Sequence, residues 1–561
     1  MTDSTTTKPH EEGSVKETLT SLVISFVMAL VFRSYVIEAF IIPTGSMAPT
    51  LMGAHMRFQS GQTGNTWAVN PWYLAADGET PFSIQGGGQS RDGAPTATDP
   101  MTTSKVNPFR VGGRPTPNSP FGYSPPPTPM PLQAGDRILV QKYLYEVFPP
   151  KRFDVVVFKN PEQSTQNFIK RLIGLPNEQL WVADGDVFVR PIEKASDGAV
   201  TPRGEWTIAR KPERVQESLW RPIYSSEFAP LNPERDGRRW FITPWKGLNW
   251  ETENRREYRC DSAEATTLAW DSSGWPITDW VPYNEYPGKL LDPRGLQLFP
   301  VADLRLSAGI RPDRDGLSAR ATIAALGHEF QAVIATGSLS LRMRPIMPGA
   351  AEPPAWQELG TAPFGGLEAG RVTNIEFWHV DQALLLRVDG ATVVRGEYNW
   401  GPSDRLLHAT GTPGDAYTDT SHSGNALPLA ETYSGTRPSV RWEFTGSPVT
   451  LFRVGLARDL YYEAAKFSRG GWGPALATHP MNLASLGRDQ FFVMGDNSPS
   501  SKDGRLWEGV DPWVADQIDD TVGVVPRKLL LGKAFFVYFP SPYKAFGTIP
   551  VPDFGRMRFI R

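Results

Sequence analysis

Residues 136–189 read DRILVQKYLYEVFPPKRFDVVVFKNPEQSTQNFIKRLIGLPNEQLWVADGDVFV. Four β-rich runs lie in this stretch and its edges: DRILVQKYLY, DVVVFKN, NFIKRLIGL and QLWVADGDVFV. Turn signals such as Pro149-Pro150 and Asn160-Pro161-Glu162 separate them, and short apolar runs punctuated in this way read as strands. In the third run, strand alternation puts Lys170 on the face of Phe168 and Leu172. A lysine among apolar neighbours loses solvation, which penalises its charged form and lowers its pKa. A fall from about 10.4 to about 7 corresponds to about 4.6 kcal/mol, and few surroundings other than burial supply that much.

Working outward toward the N-terminus, residues 53–130 hold 11 Gly and 12 Pro and end in PNSPFGYSPPPTPM. That composition predicts an irregular, partly disordered insert with polyproline character. Before it, a polar tail over 1–17 precedes 15 uncharged residues, Thr18 to Phe32, between Lys16-Glu17 and Arg33. A membrane span needs about 20 apolar residues. Snorkelling of Lys16 and Arg33, with Tyr35-Val36-Ile37 beyond, extends the stretch. No small-residue cleavage site follows, and the chain runs on into Phe40-Ile41-Ile42-Pro43, so an uncleaved transmembrane anchor is expected over 18–37.

Toward the C-terminus, residues 191–483 form a second long insert whose first hundred residues are rich in Trp and Pro. From about 300 to 470 nine runs recur: VADLRLSAGI, LSARATIAAL, EFQAVIAT, SLSLRMR, NIEFWHV, ALLLRVDG, TVVRGEY, SVRWEFTG and VTLFRVGL. Their alternation predicts half-buried antiparallel strands in a β-sandwich, and FWHVDQALLLRVDG resembles strand pairs of concanavalin/laminin-G-like jelly rolls. After 484 come QFFVMGDN, a polar loop and KLLLGKAFFVYFP, the last read as a core strand rather than a second membrane segment. The fold class expected is mainly β, with one helix near the N-terminus.

Composition agrees. Of 561 residues, 52 are Gly and 52 Pro, which argues against a helical bundle or coiled coil. Hydrophobic residues at 40% and charged residues at 21% exclude global disorder. A net charge of −3 gives no general attraction for nucleic acid. Cys260 is the sole cysteine, so an intramolecular disulfide and a cysteine-built zinc site are excluded.

Three separated segments carry chemistry. In Phe40-Ile41-Ile42-Pro43-Thr44-Gly45-Ser46-Met47-Ala48-Pro49-Thr50-Leu51, Ser46 lies on a turn between prolines, a setting that exposes a hydroxyl and aims backbone N–H groups at one point. The second segment contains Lys170. The third, Gly495-Asp496-Asn497-Ser498-Pro499-Ser500-Ser501-Lys502-Asp503-Gly504-Arg505, opens with a tight-turn signature. Each alone reads as a turn serine, a snorkelling lysine and a solvated loop.

Together these segments closely resemble the boxes of bacterial type I signal peptidases, membrane-bound Ser/Lys endopeptidases. The SMxPTL box stands as Ser46 to Leu51, GDxxxV as Gly135 to Val140, DVVVFxxP as Asp154 to Pro161, IKRxxGLPG as Ile169 to Asn177, and GDNxxxSxDSR as Gly495 to Arg505. The resemblance covers about 38–52, 131–190 and 484–548, and implies a signal-peptidase-type antiparallel β catalytic core. It implies Ser46 as nucleophile, Lys170 as general base, and an oxyanion hole from the Ser46 N–H and the Thr44 hydroxyl. Ser501 would hold the Lys170 ammonium, with Asp496, Asp503 and Arg505 in support. Phe40, Ile42, Met47, Leu51, Phe168 and Ile169 would line shallow pockets for small residues of the substrate. No metal or cofactor is implied. The implied partners are signal peptides of exported preproteins, the lipid bilayer and the translocation machinery. The implied location is the inner membrane, with a single span and the catalytic part on its outer face.

Asn177 replaces the family's turn glycine, and Gly504 replaces the usual serine after Asp503; neither removes a catalytic group. His55 has no metal- or triad-like company in the sequence and is given no role. Two other readings are open: an envelope glycan- or protein-binding module on a relict peptidase scaffold, and a self-cleaving repressor of the Ser/Lys type. The latter should carry a DNA-binding domain in place of an apolar anchor.

Overall fold

The computed structural model describes residues 15–70, 97–106, 133–195, 198–235, 237–254, 256–284, 298–349, 352–414, 416, 437–464, 474–545 and 549–561. Most of the Gly/Pro-rich insert lies outside the described residues. Within it two short hairpins are seen, Met56–Gln59 with Thr66–Val69 and Ala97–Thr98 with Lys105–Val106.

The chain is mainly β. A first antiparallel sheet orders the strands Ile37–Ile41, Arg137–Gln141, Leu530–Phe539, Val155–Asn160, Gln163–Gly174, Gln490–Met494 and Val525–Pro526, with Arg558–Phe559 alongside Leu530–Phe539. The apolar run near the C-terminus is thus an interior strand of this sheet, and the sheet continues past residue 548. DRILVQKYLY is strand only to Gln141; Leu144–Val147 is a single helical turn. QLWVADGDVFV becomes the hairpin Glu178–Ala183 and Asp186–Lys194, turned by Asp184 and Gly185 at positive φ. Its sheet also takes Val200–Pro202, Thr207–Ile208 and Ala484–Ser485, so residues expected in the insert belong to the host. Asn177 sits at φ 61°, the left-handed conformation that its glycine-like place requires.

Two further antiparallel sheets, of eight and seven strands, enclose one core. Leu306, Ile310 and Phe377 enter it from one sheet and Ile323, Phe330 and Trp442 from the other. All nine runs read from the sequence are strands here. The sandwich begins well before 300, however: Arg221–Ser225, Trp245–Lys246, Trp250–Glu251, Glu257–Cys260 and Thr266–Trp270 join its sheets. Arg221 is the cross-strand partner of Arg458, so the chain enters and leaves this body side by side.

Near the N-terminus a helix spans Val15–Tyr35. Among the described residues no helix is long and apolar enough to cross a membrane, so the transmembrane segment expected over 18–37 is not borne out as a span. Lys16, Glu17 and Arg33 shorten the apolar run, and Ile37 already belongs to a strand.

Candidate active site

The segment after Ile37–Ile41 folds into a short 3-10 turn, Gly45–Met47, which buries Ser46 and Met47. The strand Gln163–Gly174 delivers Lys170 beneath it, and Lys170 Nζ donates to Ser46 Oγ at 2.8 Å. Both side chains are nearly closed off from solvent, Lys170 at 4% and Ser46 at 8% exposure. The Phe168 ring centroid lies 5.2 Å from Nζ. Burial lowers the Lys170 pKa to about 8; the Asp503 carboxylate opposes that fall, Arg505 adds to it, and Asp496 opposes it.

The loop after Gln490–Met494 supplies the carboxylates. Arg171 grips Asp496 from Nε at 2.8 Å and from a terminal nitrogen at 2.6 Å, both side chains fully buried. Arg505 grips Asp503 with two bonds of 2.9 Å, and the Gly495 N–H adds a third at 2.9 Å. Burial by itself would raise both carboxyls. The facing guanidiniums outweigh it and hold both below the usual carboxylate range.

Ser501 is brought near but does not do what was expected of it. Its Oγ is buried and makes no hydrogen bond to Lys170; it lies instead beside the Asp503 carboxylate, whose pKa it helps to lower. Thr44 is exposed, with extended backbone, directly before the turn. Of the expected pocket residues, Ile42, Met47, Leu51 and Ile169 share one apolar cluster, with Phe40 packed against it. Phe168 packs instead against the neighbouring cluster around Phe158 and Leu172. His55 is buried, neutral by virtue of a pKa lowered to about 4, with Nδ1 2.8 Å from the Gly53 carbonyl oxygen.

Sequence reasoning did not single out Asn497 or Arg171. Asn497 donates from its side chain to the Gly45 carbonyl at 2.9 Å, and its backbone N–H donates to the Ser46 carbonyl at 3.0 Å. The Gly-Asp-Asn turn signature was the available signal for the first, and adjacency to Lys170 for the second. Beside the turn opens a cleft of about 780 Å³, lined among others by Pro49, Met52, Trp67, Ile223, Trp280 and Tyr283. The arrangement is a hydroxyl hydrogen-bonded to a weakly basic amine in an apolar setting, which is the requirement for nucleophilic attack with proton transfer to that amine.

The profile of the family described as "Signal peptidase, peptidase S26" matches residues 122–216 and 466–539. The signal peptidase I of Leptolyngbya laminosa is 39% identical over 72 residues, covering 11% of this chain and 36% of the relative. That of Pseudomonas aeruginosa is 28% identical over 158 residues, covering 28% and 49%, and that of Bacillus caldolyticus 34% over 88 residues, covering 14% and 46%. The chain thus spans less than half the length of these curated relatives. Among solved structures, the carbohydrate binding module CBM66 from Bacillus subtilis aligns with 38% of this chain and 96% of its own, at 9% identity and a TM-score of 0.21, too distant a likeness to carry functional meaning. Over residues 122–216 and 466–539, which hold Lys170 and the Gly-Asp-Asn loop, the chain carries the sequence pattern of the signal peptidases of peptidase family S26.

Proposed function

We propose that the chain is a serine endopeptidase that removes N-terminal signal peptides from exported preproteins. The observation that carries this reading is the 2.8 Å hydrogen bond from Lys170 to Ser46 within a buried, apolar setting. Neutral Lys170 takes the Ser46 proton as Oγ attacks the scissile carbonyl. The Ser46 N–H and the Thr44 hydroxyl hold the oxyanion. Lys170 returns the proton to the leaving amine, then activates the water that hydrolyses the acyl-enzyme. Asp496, Asp503 and Arg505 fix the loop that faces the lysine. Phe40, Ile42, Met47, Leu51, Phe168 and Ile169 shape a floor that admits small side chains.

The helix Val15–Tyr35 anchors the enzyme in lipid, its catalytic part on the outer face of the inner membrane. Support comes from the exposure of Leu22, Val23, Ile24, Phe26, Val27 and Met28, which at 3.6 residues per turn occupy about two-thirds of its circumference. Ser46→Ala and Lys170→Ala are each expected to lower cleavage of a preprotein in detergent micelles by at least about a thousandfold. Turnover by either variant at the wild-type rate overturns the assignment.

A further inference from the structure

The large insert reaches the nucleophile's turn. Its 3-10 turn Pro282–Asn284 brings Tyr283 against Gly45 of the turn Gly45–Met47. A Cβ on Gly45 would fall 2.2 Å from the Tyr283 ring, so Tyr283 occupies the space a side chain would need. That ring completes a small buried cluster with Ala48 and Met52, both from the stretch that follows Ser46. Tyr283 Oη donates to the Ala54 carbonyl at 3.2 Å, and its own carbonyl accepts from the Asn70 N–H at 2.8 Å. The next residue, Asn284, exchanges two amide hydrogen bonds with Asn497: its Nδ2 donates to Asn497 Oδ1 at 2.6 Å and its Oδ1 accepts from Asn497 Nδ2 at 2.8 Å. Asn497 in turn holds the carbonyls of Gly45 and Ser46.

We propose that Tyr283 and Asn284 are positioning residues for Ser46, so that the insert is a working part of the active site. The amide pair fixes the plane of Asn497, and Asn497 fixes the peptide groups on both sides of Ser46. Those peptide groups orient the Ser46 N–H and set the direction of Oγ toward Lys170. Tyr283 closes the other side of the same turn. The proposal rests on Ser46 as the nucleophile.

The test uses the full chain in detergent micelles with a synthetic peptide spanning a signal-peptide cleavage site. A small displacement of a reacting group costs up to about a hundredfold in rate. Asn284→Ala is therefore expected to lower kcat about 10- to 100-fold, with KM within about threefold of wild type. Asn284→Asp keeps an acceptor for Asn497 Nδ2 and should recover part of the loss. The double variant Asn284→Ala/Asn497→Ala should lose no more than the worse single variant, because both changes break one unit. The proposal is overturned if Asn284→Ala turns over within about threefold of wild type, if its loss falls on KM, if it matches only the unfolded fraction seen by circular dichroism, or if the two losses multiply. Ser46→Ala assayed alongside separates the two claims. An inactive Ser46→Ala beside a fully active Asn284→Ala overturns the brace alone. An active Ser46→Ala overturns the nucleophile assignment, and the brace with it.

Discussion

Lys170 is charged or neutral according to a balance of opposing influences. Burial disfavours its ammonium, Asp503 and Asp496 favour it, and Arg505 disfavours it, leaving a pKa of about 8. The neutral amine is the form that can accept the Ser46 proton, so activity rises with pH through that value. A group of pKa 8 is about one-tenth neutral at pH 7 and about nine-tenths neutral at pH 9. The pH profile of kcat/KM should therefore climb about tenfold between those values, with its midpoint near 8. Asp503→Asn removes the charge that most favours the ammonium and should move the midpoint to lower pH. A profile flat from pH 6 to 10 would show that Lys170 does not act as the base. Ser46 and Lys170 were legible because their residue types and flanking motifs state a chemistry. Ser501 shows where that stops: its motif position is clear, yet its Oγ lies beside Asp503 and makes no bond to Lys170.

Between elements, the decisive joint ties the strand Gln163–Gly174 to the loop after Gln490–Met494. Arg171 and Asp496 are both fully buried there, and Arg171 also donates to the carbonyls of Phe153 at 2.8 Å and Arg561 at 3.1 Å. Removing one partner of a buried pair strands a charge in low dielectric, whereas replacing both with apolar groups is often nearly neutral. Asp496→Ala should thus lower stability by about 3–5 kcal/mol, and Arg171→Met/Asp496→Leu by markedly less, both read from urea unfolding. Equal losses would mean that the pair itself, not the stranded charge, sets the stability. Strands were legible wherever period-two alternation ran for six or more residues, as in Thr373–Val380 or Ser439–Thr445. Gln357–Phe364 escaped because Gly360 and Pro363 interrupt it; as the last strand of its sheet it tolerates both. The strands between 221 and 270 are two to five residues long, too short for any periodicity to emerge.

On the scale of the molecule, a two-part host with the S26 sequence pattern is interrupted by a sandwich that enters and leaves at paired residues, Arg221 and Arg458. Adjacent ends let a long insertion sit on its host with little loss of loop entropy. The structure adds a charged seam. Arg405, from the helix Pro402–Thr410, donates to Asp184 of the host hairpin at 2.7 Å and to Asp303 of the sandwich at 3.1 Å, all buried. Lys211 pairs with Asp381 and with Asp459. No motif marks Arg405 or these aspartates, since each charge makes sense only against a partner more than a hundred residues away. Burial raises the Asp186 carboxyl well above its usual range, Arg405 opposes that rise, and Asp303 and Asp381 add to it. Arg405→Met removes the opposing guanidinium, so the seam's carboxyls should protonate more readily in the folded state than in the unfolded chain. A group whose folded pKa is raised gives its stability at low pH and loses it as pH climbs through that value. The deficit of Arg405→Met against wild type should accordingly be small near pH 4 to 5, close to the ordinary carboxylate range, and reach about 3–5 kcal/mol by pH 8. Denaturant melts of both proteins across that range measure it; a deficit independent of pH would mean that Arg405 acts by packing, and that the sandwich is not held to its host by charge.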